Sequence, residues 1–218
     1  MVESATDDRR PGPGGLTASQ EAALARVRFG IERPAGVVLL VGPAGAGKTH
    51  VLGILAAELS ARGVALLHAG DDAAGARPAA PGPGRAVALA DDAHDLSDGE
   101  LAAVAALARS VPVVLSGRGR LLTLVDRHGR LATDSRLRAV VTPCTPDESR
   151  RLVEVRLAAA GCASPDPEAL RVMHEIAAGI PGRLLRLADL VAVVAATGRR
   201  LSADDVEAIH GRLGPDAA

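Results

Sequence analysis

The segment GPAGAGKT, residues 42–49, carries the spacing G-x-x-x-x-G-K-[ST], and that spacing suits phosphate binding. Glycines at 42, 45 and 47 let the backbone close tightly enough for consecutive N–H groups to point inward. Lys48 then reaches the β- and γ-phosphates, and the Thr49 hydroxyl can ligate Mg²⁺. Gly42, Pro43, Ala44, Gly45, Ala46, Gly47, Lys48, Thr49 and His50 are therefore expected to hold a nucleotide. Lysine and arginine together number 25, yet Lys48 is the only lysine. At solvated positions the two cations are nearly interchangeable. Inside a glycine-lined cradle a compact ammonium on a slim stem fits, and a planar guanidinium does not.

A second acidic feature completes such a site. The stretch AVALADDAHDL, residues 86–96, is an apolar run ending in two carboxylates. Asp91 at the strand end is placed to hold Mg²⁺ through water, and Asp92 to act as the general base that orients an attacking water. His94 either contacts phosphate or a neighbouring subunit, or packs against the sheet edge.

These residues need particular elements to position them. GVVLLV (36–41) is a continuous apolar run leading directly into the glycine-rich turn, the pattern of a strand buried on both faces of a parallel sheet. The stretch after it places Leu52, Leu55 and Leu59 on one helical face, with Gly63 as the stop. Further strands are expected at 64–70, 86–90, 111–116 and 138–143. SDGE (97–100) and TPDE (145–148) are capping boxes that open helices. Strands alternating with helices predict an α/β fold with right-handed crossovers. Residues 70–85, rich in proline and glycine, are expected to form an irregular loop. From about residue 144 the strand signal ends and four helices remain. The expected division is a leader over 1–15, an α/β core over 16–143, a four-helix lid over 144–213 and a tail over 214–218.

Composition narrows the function. The 218 residues have a net charge of −1 and Phe29 as their only aromatic, which argues against a stacking platform for single-stranded nucleic acid. Near-neutrality also removes the global footprint of a dedicated DNA binder, although six arginines fall between Arg118 and Arg138. Nucleic acid is thus possible as a partner but not indicated by charge. Cys144 and Cys162 have no metal or disulfide spacing and read as small residues in a reducing compartment. No run approaches the roughly 20 apolar residues of a membrane span. A soluble, cytoplasmic protein is the expectation.

The P-loop GPAGAGKT, then ALADDAH, then a strand ending at Ser116, then helices containing GIPGR (179–183), together resemble an AAA+ ATPase. The likeness covers roughly residues 16–213 and is greatest to the ExeA/GspA and TniB-like branch, related to the origin-recognition initiators. The DDAH segment also resembles STAND and LuxR-type nucleotide-binding domains. The resemblance implies a P-loop core with a five-stranded parallel sheet of order 5-1-4-3-2, a small all-helical lid, and ATP between them. It further implies Ser116 as a sensor of the γ-phosphate or lytic water, and Arg136 before the fifth strand as an arginine finger reaching a neighbouring subunit, with Arg138 the alternative. Arg183 falls near the second sensor arginine. Phe29, just before the first strand, either lines the base pocket or packs in the core.

Three features depart from the family pattern. Asp92 stands where many relatives have Glu, one methylene longer. GxPR becomes GIPGR, which moves the arginine by one residue and rotates it by about 100° on a helix. The 70–85 loop replaces a helix. The function implied is ATP hydrolysis with Mg²⁺, coupled to lid motion and to assembly with itself or an unidentified protein partner. The alternative is a STAND-like switch with slow or no hydrolysis.

Overall fold

A computed structural model describes residues 15–68, 86–195 and 202–213. The expected irregular loop, the tail and nearly all of the leader lie outside the described residues. The chain begins with α1 (Ala18–Ile31), β1 (Gly36–Val41), α2 (Lys48–Ala61), β2 (Ala65–His68) and β3 (Ala86–Ala90). There follow α3 (Asp98–Leu107), β4 (Pro112–Gly117), α4 (Arg120–Arg127), α5 (Gly129–Asp134) and β5 (Ser135–Val140). Four helices close it: α6 (Pro146–Ala159), α7 (Pro167–Ala177), α8 (Pro181–Ala195) and α9 (Ala203–Leu213).

The five strands form one parallel sheet in the order β2-β3-β4-β1-β5, the expected order read from its other edge. Strand alternation divides the apolar residues between two layers. Val37, Leu39 and Val41 pack with Val113, Leu115 and the inner faces of α3 and α4. Val38, Leu40 and Val114 pack on the other side with Leu24 and Val27 of α1 and Leu52, Leu55 and Leu59 of α2. With one aromatic in the chain, both layers are filled by aliphatic side chains. Helices α6 to α9 have a separate core around Leu157, Met173, Leu184, Leu187 and Val206. No helix among the described residues is long and apolar enough to cross a membrane.

The capping boxes at Ser97 and Thr145 form as expected, and a third, Thr17 with Gln20, opens α1. Four expectations need correction. The fifth strand starts three residues earlier than expected and ends at Val140. Its pairing reaches back to Ser135 through an irregularity beside Val37, while beyond Val141 the Thr142 N–H donates to Ser19 Oγ and Pro143 has no N–H to offer. Arg136 therefore lies within β5 and not before it. Helices α4 and α5, between the fourth and fifth strands, were not anticipated. Phe29 is 57 % exposed, beside Arg33 and Leu137, so it serves neither the core nor a base pocket.

Candidate functional site

The site forms where β1 and β3 end. Val41 runs into the P-loop, and the helix that follows opens at Lys48, so its free N–H groups and positive dipole end face the same space. The turn requires a left-handed backbone at Gly45 (φ +77) and Gly47 (φ +89). Gly47 is also crowded: a Cβ there would meet Gln20 Nε2 at 2.2 Å. Gln20, 5 % exposed, donates from that nitrogen to the Ala46 carbonyl at 2.9 Å and accepts the Thr17 N–H at 3.0 Å. The capping box of α1 thus braces the phosphate loop, a role the sequence pattern did not reveal.

Lys48 is 7 % exposed, and its Nζ donates to the Gly42 and Pro43 carbonyls at 3.1 and 2.9 Å. Burial pushes its pKa below the usual lysine value; the carboxylates of Asp92 and Asp91 oppose that shift, and the Arg118 guanidinium adds to it. Thr49 Oγ1 donates to Asp91 Oδ2 at 2.5 Å, and Asp91 Oδ1 accepts the Asp92 N–H at 3.0 Å. Asp92 itself sits at φ 46, ψ 34, a left-handed conformation that Asp tolerates better than most residues, and it opens the single 3₁₀ turn Ala93–Asp95. His94 in that turn is buried. Its Nδ1 lies 3.8 Å from Asp92 Oδ1 and its Nε2 3.7 Å from Asp95 Oδ2, so it packs beneath the acidic pair.

These groups share a cleft of about 630 Å³ lined by Gly45, Lys48, Thr49, His50, Asp91, Asp92, Arg118 and Gly182, among others. That volume is in the range of nucleotide-sized ligands. An adjoining cavity of about 380 Å³ extends from Gly45, Gly47 and His50 to Thr17, Leu152, Val155, Pro181 and Leu185. The two together run from a charged end at the sheet to a more apolar end between α1, α6 and α8.

The other anticipated residues divide. Ser116 is fully buried. In register with Leu40, it faces the α1 and α2 side of the sheet, and its hydroxyl has no hydrogen-bond partner among the described residues. It lies beneath the loop but does not line the cleft. Arg138 is exposed on β5, away from the cleft, and the side chain of Arg136 is outside what the structure describes. Arg183 is exposed in the first turn of α8 and does not line the cleft; Gly182 does. The Gly182 N–H donates to the Gly45 carbonyl at 2.9 Å, and a Cβ at 182 would stand 3.1 Å from both Gly45 Cα and O. The helices meet the phosphate loop backbone to backbone.

The donor set fits Mg²⁺. Among the described residues no group of three or more His, Cys, Asp or Glu could hold a metal unaided. A hydroxyl with one carboxylate suits a cation that keeps several waters and takes its remaining ligands from phosphate.

No protein-family model matches the chain, and no curated protein matches it. Solved structures do match. The RuvB Holliday junction branch migration motor of Thermotoga maritima is 16 % identical over 91 % of this chain and 72 % of its own, with a TM-score of 0.64. ORC1 of Aeropyrum pernix, solved in complex with DNA, is 21 % identical over 92 % and 66 %, with a TM-score of 0.66. Closed-state Hsp104 is 17 % identical over 92 % of this chain and 43 % of its own, with a TM-score of 0.65. At such identities the likeness establishes the fold alone: a five-stranded parallel P-loop core, followed by helices.

Proposed function

We propose that this protein binds and hydrolyses ATP to ADP and phosphate in an Mg²⁺-dependent reaction, as an AAA+-type ATPase of the ExeA/GspA or TniB-like branch. In this reading residues 144–213 act as a lid whose position follows the nucleotide state. The observation that carries the reading is the convergence of Lys48, Thr49, Asp91 and Asp92, from two strand ends, on one cleft. The P-loop N–H groups and Lys48 bind the phosphates; Lys48 would exchange its two carbonyl partners for phosphate oxygens. Thr49 and Asp91 would hold Mg²⁺, which neutralises charge on the phosphates when bound. Asp92 accepts the proton of the attacking water. Of the roles the resemblance implies, the finger role of Arg136 requires assembly into a homo-oligomer, and the sensor roles of Ser116 and Arg183 require a rearrangement, since neither lines the cleft.

The test compares Lys48→Ala with Asp92→Asn in nucleotide binding and phosphate release. Lys48→Ala is expected to lose binding. Asp92→Asn is expected to keep it while turnover falls by about 10²–10⁴. Wild-type turnover in Lys48→Ala would overturn the assignment. A STAND-like switch, with nucleotide retained and turnover negligible, is favoured by two observations: Asp92 is short and lies in a left-handed turn, and Arg183 does not line the cleft. Copurified nucleotide without measurable phosphate release would select it.

A further inference from the structure

Among the described residues, two buried side-chain polar atoms lack a hydrogen-bond partner, Ser116 Oγ and His94 Nδ1, and the imidazole nitrogen is the one that lies beside the acidic pair. A buried donor left unpaired costs about 1–3 kcal/mol, so its retention calls for an explanation. The ring is fixed in place. Fully buried Ala93 sets the 3₁₀ turn into the apolar layer with Leu115 and Leu121, and the Asp95 N–H closes the turn on the Asp92 carbonyl at 2.9 Å. At the end of β4, Gly117 makes room for the imidazole, since a Cβ there would stand 3.3 Å from Nδ1. The His94 side chain is 8 % exposed, whereas that of Asp92 is 68 % exposed and stands in the open cleft. Nδ1 lies 3.8 Å from Asp92 Oδ1, so a turn of the carboxylate by about 1 Å brings the two to hydrogen-bond distance. His94 itself does not line the cleft.

We infer that His94 is a positioning residue for hydrolysis: its Nδ1–H holds one oxygen of Asp92 and so aims the other at the attacking water. The inference rests on the nucleotide reading above, and in particular on Asp92 as the base. The main chain of Asp92 is already fixed, by the bond from its N–H to Asp91 Oδ1 at 3.0 Å and by the left-handed turn. What is left for a neighbour to control is the rotation of the carboxylate. An exposed aspartate samples several orientations, and tying one oxygen to a buried ring removes most of them before the water arrives. The Nε2 side offers no equivalent, because it faces Asp95 at 3.7 Å, and Asp95 is not part of the cleft lining. The contact requires the hydrogen on Nδ1, and that requirement gives the test its selectivity.

Phosphate release from Mg²⁺-ATP and calorimetric binding of a Mg²⁺-loaded non-hydrolysable ATP analogue are compared in the full chain for wild type, His94→Ala, His94→Asn and His94→Gln. The side-chain nitrogen of Asn falls where Nδ1 lies, and that of Gln where Nε2 lies. His94→Ala is expected to lower kcat by about 10–100-fold while KM and analogue affinity change by less than about twofold. His94→Asn should recover most of that loss and His94→Gln little of it. A kcat in His94→Ala within about twofold of wild type overturns the inference and leaves the nucleotide reading intact. Asn and Gln variants that behave alike also overturn it, as do equal losses of turnover and binding, the mark of a general structural effect. Where the variants fail to fold, wild type decides: with the analogue bound, ¹⁵N spectra of histidine-labelled protein should show the His94 hydrogen on Nδ1, and a hydrogen carried on Nε2 alone overturns the proposal. A wild-type chain that binds nucleotide without releasing phosphate removes Asp92 as the base and this inference with it, and one that binds neither ligand removes the nucleotide reading as well.

Discussion

The two walls of the cleft are built from different materials. The sheet wall carries charge on side chains, with Lys48, Asp91, Asp92 and Arg118 at the ends of three adjacent strands. The helical wall presents Leu152, Val155, Pro181, Leu185 and the bare backbone of Gly182, and its two charges, Arg156 and Asp189, satisfy each other at 2.5 Å. Strand ends in a doubly packed sheet are held by both apolar layers, so groups that must stay aligned with a phosphate belong there. A wall of helices with its own core can move as a body, and it needs to offer shape more than charge. The charged side chains of the cleft thus stand on the sheet wall, and the helical wall offers mainly apolar surface and backbone.

The sharpest way to break that comparison is to charge the helical wall. Gly182→Arg restores an arginine directly after proline, as in GxPR, but its Cβ would stand 3.1 Å from two Gly45 backbone atoms that cannot yield. The expected outcome is separation of α8 from the phosphate loop, with a cost of about 1–3 kcal/mol and nucleotide affinity lower by about tenfold or more, measured by titration and thermal melting. A variant with tighter binding would mean the helical wall accepts a charged ligand contact after all.

Gln20→Ala probes the seam between the walls. Removing the amide leaves the buried Ala46 carbonyl without its donor and opens space beside Gly47, at a cost of about 1–3 kcal/mol. For a chain of this size that lowers the melting temperature by about 2–4 °C per kcal/mol. Nucleotide affinity should fall far less than in Lys48→Ala, because the loop keeps its glycines and its cation. If affinity collapsed without a change in melting, Gln20 would be a ligand contact instead of a brace.

The pattern of legibility follows the same division. The P-loop and the Asp91–Asp92 strand are contiguous runs whose apolar strands and turn chemistry are local, so sequence spacing alone identified them, and the resemblance supplied the strand order. Gln20, Arg118 and Gly182 come to the cleft from three separate segments, and only the packing of α1, β4 and α8 brings them there. Neither glutamine in a capping box nor arginine in an arginine-rich stretch carries a distinguishing signal. Helices α4 and α5 lie in that same stretch, where Arg120, Arg127 and Arg130 obscure an apolar face that rests on Leu121, Val125 and Leu131. The end of β5 was misread because AVV at 139–141 looks like strand centre, although Pro143 and the Ser19 contact stop it there.

The smallest effect tests how the walls are joined at their far edge. Glu148, on α6, accepts the Thr145 N–H at 2.9 Å within its own cap and the Ala18 N–H of α1 at 2.8 Å, so one carboxylate joins the helical wall to the core. The Thr145 N–H, foremost, holds its pKa below the ordinary 4.5. A carboxyl depressed in the folded state stabilises fully above its unfolded pKa, and that contribution is lost as pH falls through the folded value. Glu148→Gln keeps an acceptor of the same shape without the charge. With solvent screening of this partly exposed group, wild type should melt only about 1–3 °C above the variant near neutral pH. That gap should hold down to about pH 5 and close below it as wild type protonates. A gap that persisted at pH 3 would assign the difference to amide packing and leave the carboxylate charge no part in holding the helices to α1.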